Sequence, residues 1–142
     1  MIIDHIMQKS GVAFGTSGAR GLVKDMTDSV CYAYTTGFIQ YLESIQDFTK
    51  SDKIMVSGDL RPSSERISQA VIQSIKDNGY EPIYCGNIPT PAIMLYGLHS
   101  NCSSIMITGS HIPDDRNGIK FNKSSGEILK EDEEKIRKQS VN

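Results

Sequence analysis

Ser110, His111 and Lys120 sit close together in the stretch MITGSHIPDDRNGIKF, residues 106–121. A serine hydroxyl is a weak nucleophile until a neighbour removes or shares its proton. His111 adjoins it in sequence, but neighbours in an extended chain point in opposite directions. Adjacency therefore argues poorly for a Ser-His dyad. Ile112 and Pro113 also follow where a Gly-x-Ser-x-Gly elbow would need its second glycine. A phosphoryl carrier fits better. Phosphoserine brings a charge of about −1.5 to −2 and three strong acceptor oxygens, which call for cations around them. His111, Arg116 and Lys120 could supply them. The pair Asn117-Gly118 predicts a tight turn, and Lys120, just beyond it, is expected to fold back over Ser110. The plain alternatives are a serine that caps a turn and a solvated strand-edge lysine.

A second candidate is FGTSGARG, residues 14–21. Three glycines with Thr16, Ser17 and Arg20 predict a loop that exposes backbone amides, a shape suited to anions. It is neither a P-loop nor a Gly-x-Gly-x-x-Gly motif. Arg20 carries a planar fork that can grip phosphate in two places. A tight structural turn is the alternative. In GDLRPSS, residues 58–64, Asp59 and Arg61 either pair with each other or support the loops beside them. His5 and His99 show no metal-ligand spacing with any cysteine or carboxylate.

These residues need a scaffold. Val30, Tyr34, Phe38, Leu42 and Ile45 recur at helical spacing, predicting a helix over 27–46 with Thr27 or Asp28 as its cap. KIMVSGD reads as a buried strand. A second helix starts at Pro62-Ser63-Ser64, carries the stripe Ile67, Val71 and Ile75, and ends at Asn78-Gly79. YEPIYCG and SSIMITG read as further strands, NIPTPAIMLYGLHS as a short helical pattern, and GIKFN as an outgoing strand. KEDEEKIRKQ reads as a charged, solvated helix with little to bury. Strand and helix alternation predicts an α/β fold, a three-layer α/β/α sandwich around a mostly parallel, mixed sheet. Ligands in such folds collect beyond the carboxyl ends of strands. Asp59 and Ser110 both follow a predicted strand.

The bulk properties agree with one soluble α/β domain over residues 1–142. Apolar residues make up 38% and charged residues 23%, with a net charge of −2. That balance argues against nucleic-acid or membrane-surface partners, which need a basic face. No stretch approaches the ~20 apolar residues of a membrane span, and the first residues do not form a secretory signal. Cys31, Cys85 and Cys102 are far apart and odd in number, as expected of packed free thiols in a reducing compartment. A cytoplasmic protein is expected, in which the Asn-x-Ser triplets at Asn101 and Asn122 are chance matches.

Taken together, the loops resemble one family. FGTSGARG, DLRPSS, GNIPTPA at 86–92 and TGSHIPDDRNGIKF, in that order, are similar to the first domain of the α-D-phosphohexomutases, the phosphomannomutases and phosphoglucomutases. The resemblance spans residues 13–122. It implies a phosphohexomutase domain 1-like fold and an isomerase of carbohydrate metabolism that interconverts hexose 6-phosphate and hexose 1-phosphate, of mannose or of glucose. In that family Ser110 would be a phosphoserine that passes its phosphoryl group to a free sugar hydroxyl. A bisphosphate intermediate then turns over in the site and returns its other phosphate, and hexose 1,6-bisphosphate serves as activator. The phosphoryl group on Ser110 would help ligate Mg²⁺. His111 and Lys120 would assist proton transfer, and Arg20, Thr16 and Ser17 would bind substrate.

The chain also departs from the family pattern. Ile112 stands where Asn is usual, and Ser57-Gly58-Asp59 replaces Gly-Arg-Asp. Family members have four domains, and the Asp-rich metal loop, the sugar-discriminating loop and the last phosphate-binding loop are absent here. A fragment is therefore expected, with the missing part after Asn142, the remaining domains as partners, and no turnover alone. Ser17 leans away from the glucosamine branch, where Asp is commoner. The competing reading is a stand-alone, non-catalytic module that binds sugar phosphate or scaffolds. A weaker one is a related mutase that makes sugar bisphosphates.

Overall fold

A computed structural model describes residues 1–15, 18–45, 52–87, 92, 102–109 and 115–141. Thr16, Ser17, Ser110 and His111 lie outside these residues, as does nearly all of the short helical pattern predicted after Gly86.

Four helices are described. α1 spans Ile3–Ser10, α2 Asp28–Ser44, α3 Ser64–Asp77 and α4 Lys130–Arg137. The Thr27 hydroxyl accepts the Val30 amide at 3.3 Å and so caps α2 as expected. Gly37 lets α1 approach α2, since a Cβ there would lie 3.0 Å from Ile3 Cγ1. α3 closes at Asn78, followed by Gly79 with φ of 89°. α4 buries more than expected, namely Ile136 and Asp132.

The strands are β1 (Ala13–Phe14), β2 (Gly18–Leu22), β3 (Lys53–Gly58), β4 (Glu81–Tyr84), β5 (Ser103–Ile107), β6 (Arg116–Lys123) and β7 (Gly126–Glu127). They form one mixed sheet in the order β1-β2-β6-β5-β3-β4, with β7 on β6. The α/β class and the mixed sheet are as expected. Parallel pairing, however, is confined to β3 with β4 and β3 with β5. The other pairs run antiparallel. The reason is connection length: α3 carries the chain across the sheet between β3 and β4, whereas short links join β1 to β2 and β5 to β6 and can only turn the chain back.

Two sequence expectations fail here. Asn117-Gly118 is no turn, because both residues lie inside β6, opposite Gly21 and Arg20 of β2. In FGTSGARG, Gly18 to Gly21 are not an open amide loop either: they belong to β2, which is paired on both sides, while Thr16 and Ser17 lie outside the described residues.

Alternation along the central strands makes two buried faces. Ile54, Val56, Ile105, Ile107, Ile119 and Phe121 join the core under the helices. Met55 and Met106 join Cys102, Ile83 and Cys85 on the opposite face. Cys31 and Cys102 are buried, Cys85 is half-buried, and all three are free thiols. Among the described residues no helix is long and apolar enough to cross a membrane.

Candidate active site

The period of two fixes where Arg20 and Lys120 point. Ala19 of β2 and Ile119 of β6 are opposite each other and belong to the helix-side core. Their neighbours must face the other way. Arg20 therefore shares a face with Lys120, Met55 and Met106. In register, Arg20 is opposite Gly118, and Lys120 is opposite Gly18 on one side and Met106 on the other. Lys120 thus projects from the middle of a strand. It does not fold back from a turn.

Both facing glycines are required by space. A Cβ on Gly118 would lie 3.1 Å from Arg20 Cγ, so the arginine stem crosses over this residue. A Cβ on Gly18 would lie 2.2 Å from the Ile119 carbonyl oxygen. Arg20 and Lys120 are half-buried. Among the described residues, neither side chain has an ion-pair or hydrogen-bond partner. Two uncompensated cations on one sheet face favour an anion beside them.

The chain that leads to Ser110 passes next to this pair. Beyond β5, the Thr108 amide donates to the Gly118 carbonyl at 2.9 Å. The Gly109 amide then donates to Asp59 Oδ2 at 3.0 Å. Asp59 follows β3, and its own amide donates to the Ile107 carbonyl at 2.9 Å. The two strand ends are thereby joined, and Asp59 supports the segment before Ser110. Its other oxygen accepts from the Ser64 hydroxyl and from the Arg61 amide, the latter at 3.1 Å. Burial works against the Asp59 charge, but the hydrogen bonds from Ser64, the Gly109 and Arg61 amides and Thr108 prevail. They hold its carboxyl below the usual range.

Arg61 does both things the sequence left open. Its Nε lies 3.4 Å from Asp59 Oδ2, and its Nη1 donates to the Arg116 carbonyl at 3.3 Å. Asn117, buried and facing α3, donates to the Ser63 and Ser64 hydroxyls at 2.8 and 3.0 Å. Gly58 stands where the resembling family has arginine. A Cβ there would already come within 3.1 Å of Ser68 Oγ on α3. A cleft beside this cluster is lined by Asp59, Arg61, Ser64, Tyr84 and Asn87 among others, whereas Arg20 and Lys120 do not line it. Sequence reasoning missed Gly109 and Gly118 as site residues. Their only signal was glycine beside a charged or nucleophilic neighbour.

Residues 11–142 match the family described as phosphoglucomutase/phosphomannomutase, alpha/beta/alpha domain I, and the chain belongs to that family. A phosphomannomutase of Salmonella muenchen is 44% identical over 131 residues, covering 92% of this chain and 27% of that protein. A phosphoglucosamine mutase of Prochlorococcus marinus is 40% identical over 126 residues, covering 86% of this chain and 26% of that protein. The chain thus spans about a quarter of the length of these curated relatives. The crystal structure of the Paramecium phosphoprotein pp63/parafusin, a phosphoglucomutase, shares the fold. Its TM-score is 0.76 at 23% identity, over 87% of this chain and 24% of that one.

Proposed function

We propose that this chain is the phosphoserine-bearing unit of a longer phosphohexomutase, with residues 1–142 as one domain working alongside the family's remaining domains. Ser110 carries the phosphoryl group. A hexose monophosphate hydroxyl attacks its phosphorus, the bond from phosphorus to Ser110 Oγ breaks, and a hexose 1,6-bisphosphate forms. The sugar then reorients and returns its other phosphate to Ser110. The same bisphosphate added from outside loads the serine and so activates the enzyme. His111 takes and returns the hydroxyl proton. Lys120 and Arg20 neutralise charge as the phosphoryl group moves, and Thr16 and Ser17 contact the substrate phosphate. Phosphoryl transfer rests mainly on positioning and charge neutralisation.

The observation that carries this reading is the pairing of Arg20 with Lys120 on one sheet face, next to the strand end that runs into Ser110. The substrate we favour is mannose 6-phosphate and its 1-phosphate isomer, with glucose second, in keeping with Ser17 and the Salmonella relative. Three free thiols suit a cytoplasmic enzyme.

Mg²⁺ fits this chain only in part. Among the described residues, no group of three or more His, Cys, Asp or Glu could hold a metal ion. The phosphoryl group on Ser110 would supply one donor, with the rest coming from beyond these 142 residues.

The test is peptide mapping of the complete gene product after incubation with hexose 1,6-bisphosphate, together with mutase assays of Ser110→Ala. Phosphate on Ser110 and loss of turnover in the variant are expected. Full turnover by Ser110→Ala would overturn the assignment. Sugar-phosphate binding without turnover by the wild type would favour a binding module.

A further inference from the structure

We propose that Arg61 is a positioning residue that clamps both ends of the 110–115 segment and thereby sets the reactivity of Ser110. The inference rests on the function proposed above. Its geometry involves only described residues.

Three contacts carry it. At the start of the segment, the Arg61 guanidinium occupies the space where a Gly109 side chain would be. A Cβ there would fall 2.2 Å from both Cζ and Nε and 2.7 Å from Nη1. At the far end, Nη1 donates to the carbonyl of Arg116, the first residue of β6. From below, Asp59 accepts the Gly109 amide and faces Arg61 Nε, so carboxylate and guanidinium hold the same residue from two sides. The Arg61 side chain is only 12% exposed, which is unusual for an arginine. Gly109 has no left-handed φ. Its missing side chain therefore serves space for the guanidinium, not backbone freedom.

A planar, multi-donor group is needed for this task. Lysine could reach one end of the segment but not cover Gly109 and bond Arg116 together. Displacing such a clamp by a fraction of an ångström should change the rate of transfer more than substrate binding, since transfer depends on attack geometry.

Arg61→Ala, Arg61→Lys and Gly109→Ala of the complete gene product test this, with kcat and KM for hexose phosphate read beside hydrogen exchange of the 107–118 peptide. Gly109→Ala evicts the guanidinium without removing its charge. All three variants should lower kcat at least tenfold with KM within about twofold, Lys rescuing only partly, and should speed exchange across 107–118. Unchanged kcat, a rise in KM alone, full rescue by Lys, or unchanged exchange would each overturn the clamp. A wild type without mutase activity would sink the functional reading instead. Exchange would then decide the clamp alone, faster exchange in Arg61→Ala supporting it and unchanged exchange refuting it.

Discussion

Arg20 and Lys120 stand diagonally across β2 and β6, each facing a glycine of the other strand. Diagonal neighbours on one sheet face are about 7–8 Å apart at Cα, a spacing at which two long cations can converge on one phosphate. Charge-assisted hydrogen bonds contribute about 1.5–3 kcal/mol each. Arg20→Ala and Lys120→Ala should therefore each cut kcat/KM of the complete gene product by about ten- to hundredfold. Because neither side chain has a partner among the described residues, Tm should stay within about 2 °C of wild type. A large loss of stability would mean that these are structural residues.

Gly18 and Gly15 should respond oppositely to the same substitution. At Gly18 a Cβ meets the Ile119 backbone at 2.2 Å, where nothing flexible can give way. At Gly15 nothing lies within 4 Å. Gly18→Ala should cost ~2 kcal/mol or more and lower Tm by about 5 °C or more. Gly15→Ala should stay within about 0.5 kcal/mol. Thermal unfolding of both variants decides it.

Asp132 should make stability depend on acid. It is buried, accepts from the Tyr41 hydroxyl and the Leu129 amide, and pairs with Lys123 at 2.9 Å. Burial opposes its charge, but these hydrogen bonds and Lys123 outweigh it and hold its pKa below the ordinary 3.8. A carboxyl depressed in the native state stabilises at pH above its unfolded value, and that contribution fades as pH falls through the native value. Asp132→Asn should thus be less stable than wild type at pH 7, by about 1–3 kcal/mol. The gap should narrow as the pH falls below 3.8 and through the native value. Urea midpoints at pH 7 and along a descending acid series measure this, and a gap that does not narrow in acid would contradict it.

The thiols should react in order of access. Burial pushes the Cys31 thiol up to about 12, leaving almost no thiolate at neutral pH. Cys85 is half-buried, and burial raises its thiol as well. A maleimide at pH 8 should modify Cys85 first and Cys31 only on unfolding, as read by mass spectrometry. Early labelling of Cys31 would show that α2 opens more readily than its packing implies.

The long helices were legible because their apolar residues repeat at helical spacing and Thr27 marks the start of α2. β3 and β5 were legible as short apolar runs. α1 was not, since it has eight residues and its first turn lacks a side-chain cap. α4 looked wholly solvated because a buried aspartate is unreadable without Lys123, which is far from any helical neighbour position. The glycines misled most. Asn117-Gly118 has hairpin chemistry, yet Asn117 spends its amide on Ser63 and Ser64, and Gly118 yields room to Arg20. Lys120 was expected to reach back from a turn, yet it stands inside β6 opposite Met106 of β5. Alternation along β6, not a turn, aims it.

Three side chains and one backbone amide link the sheet to the start of a helix. Asn117 donates to Ser64, Ser64 to Asp59, and Asp59 receives Gly109. A rocking of α3 about its own axis would accordingly be transmitted, bond by bond, to the backbone at Gly109. Anything that leans on the outer surface of α3 holds a mechanical handle on the strand end that leads into Ser110.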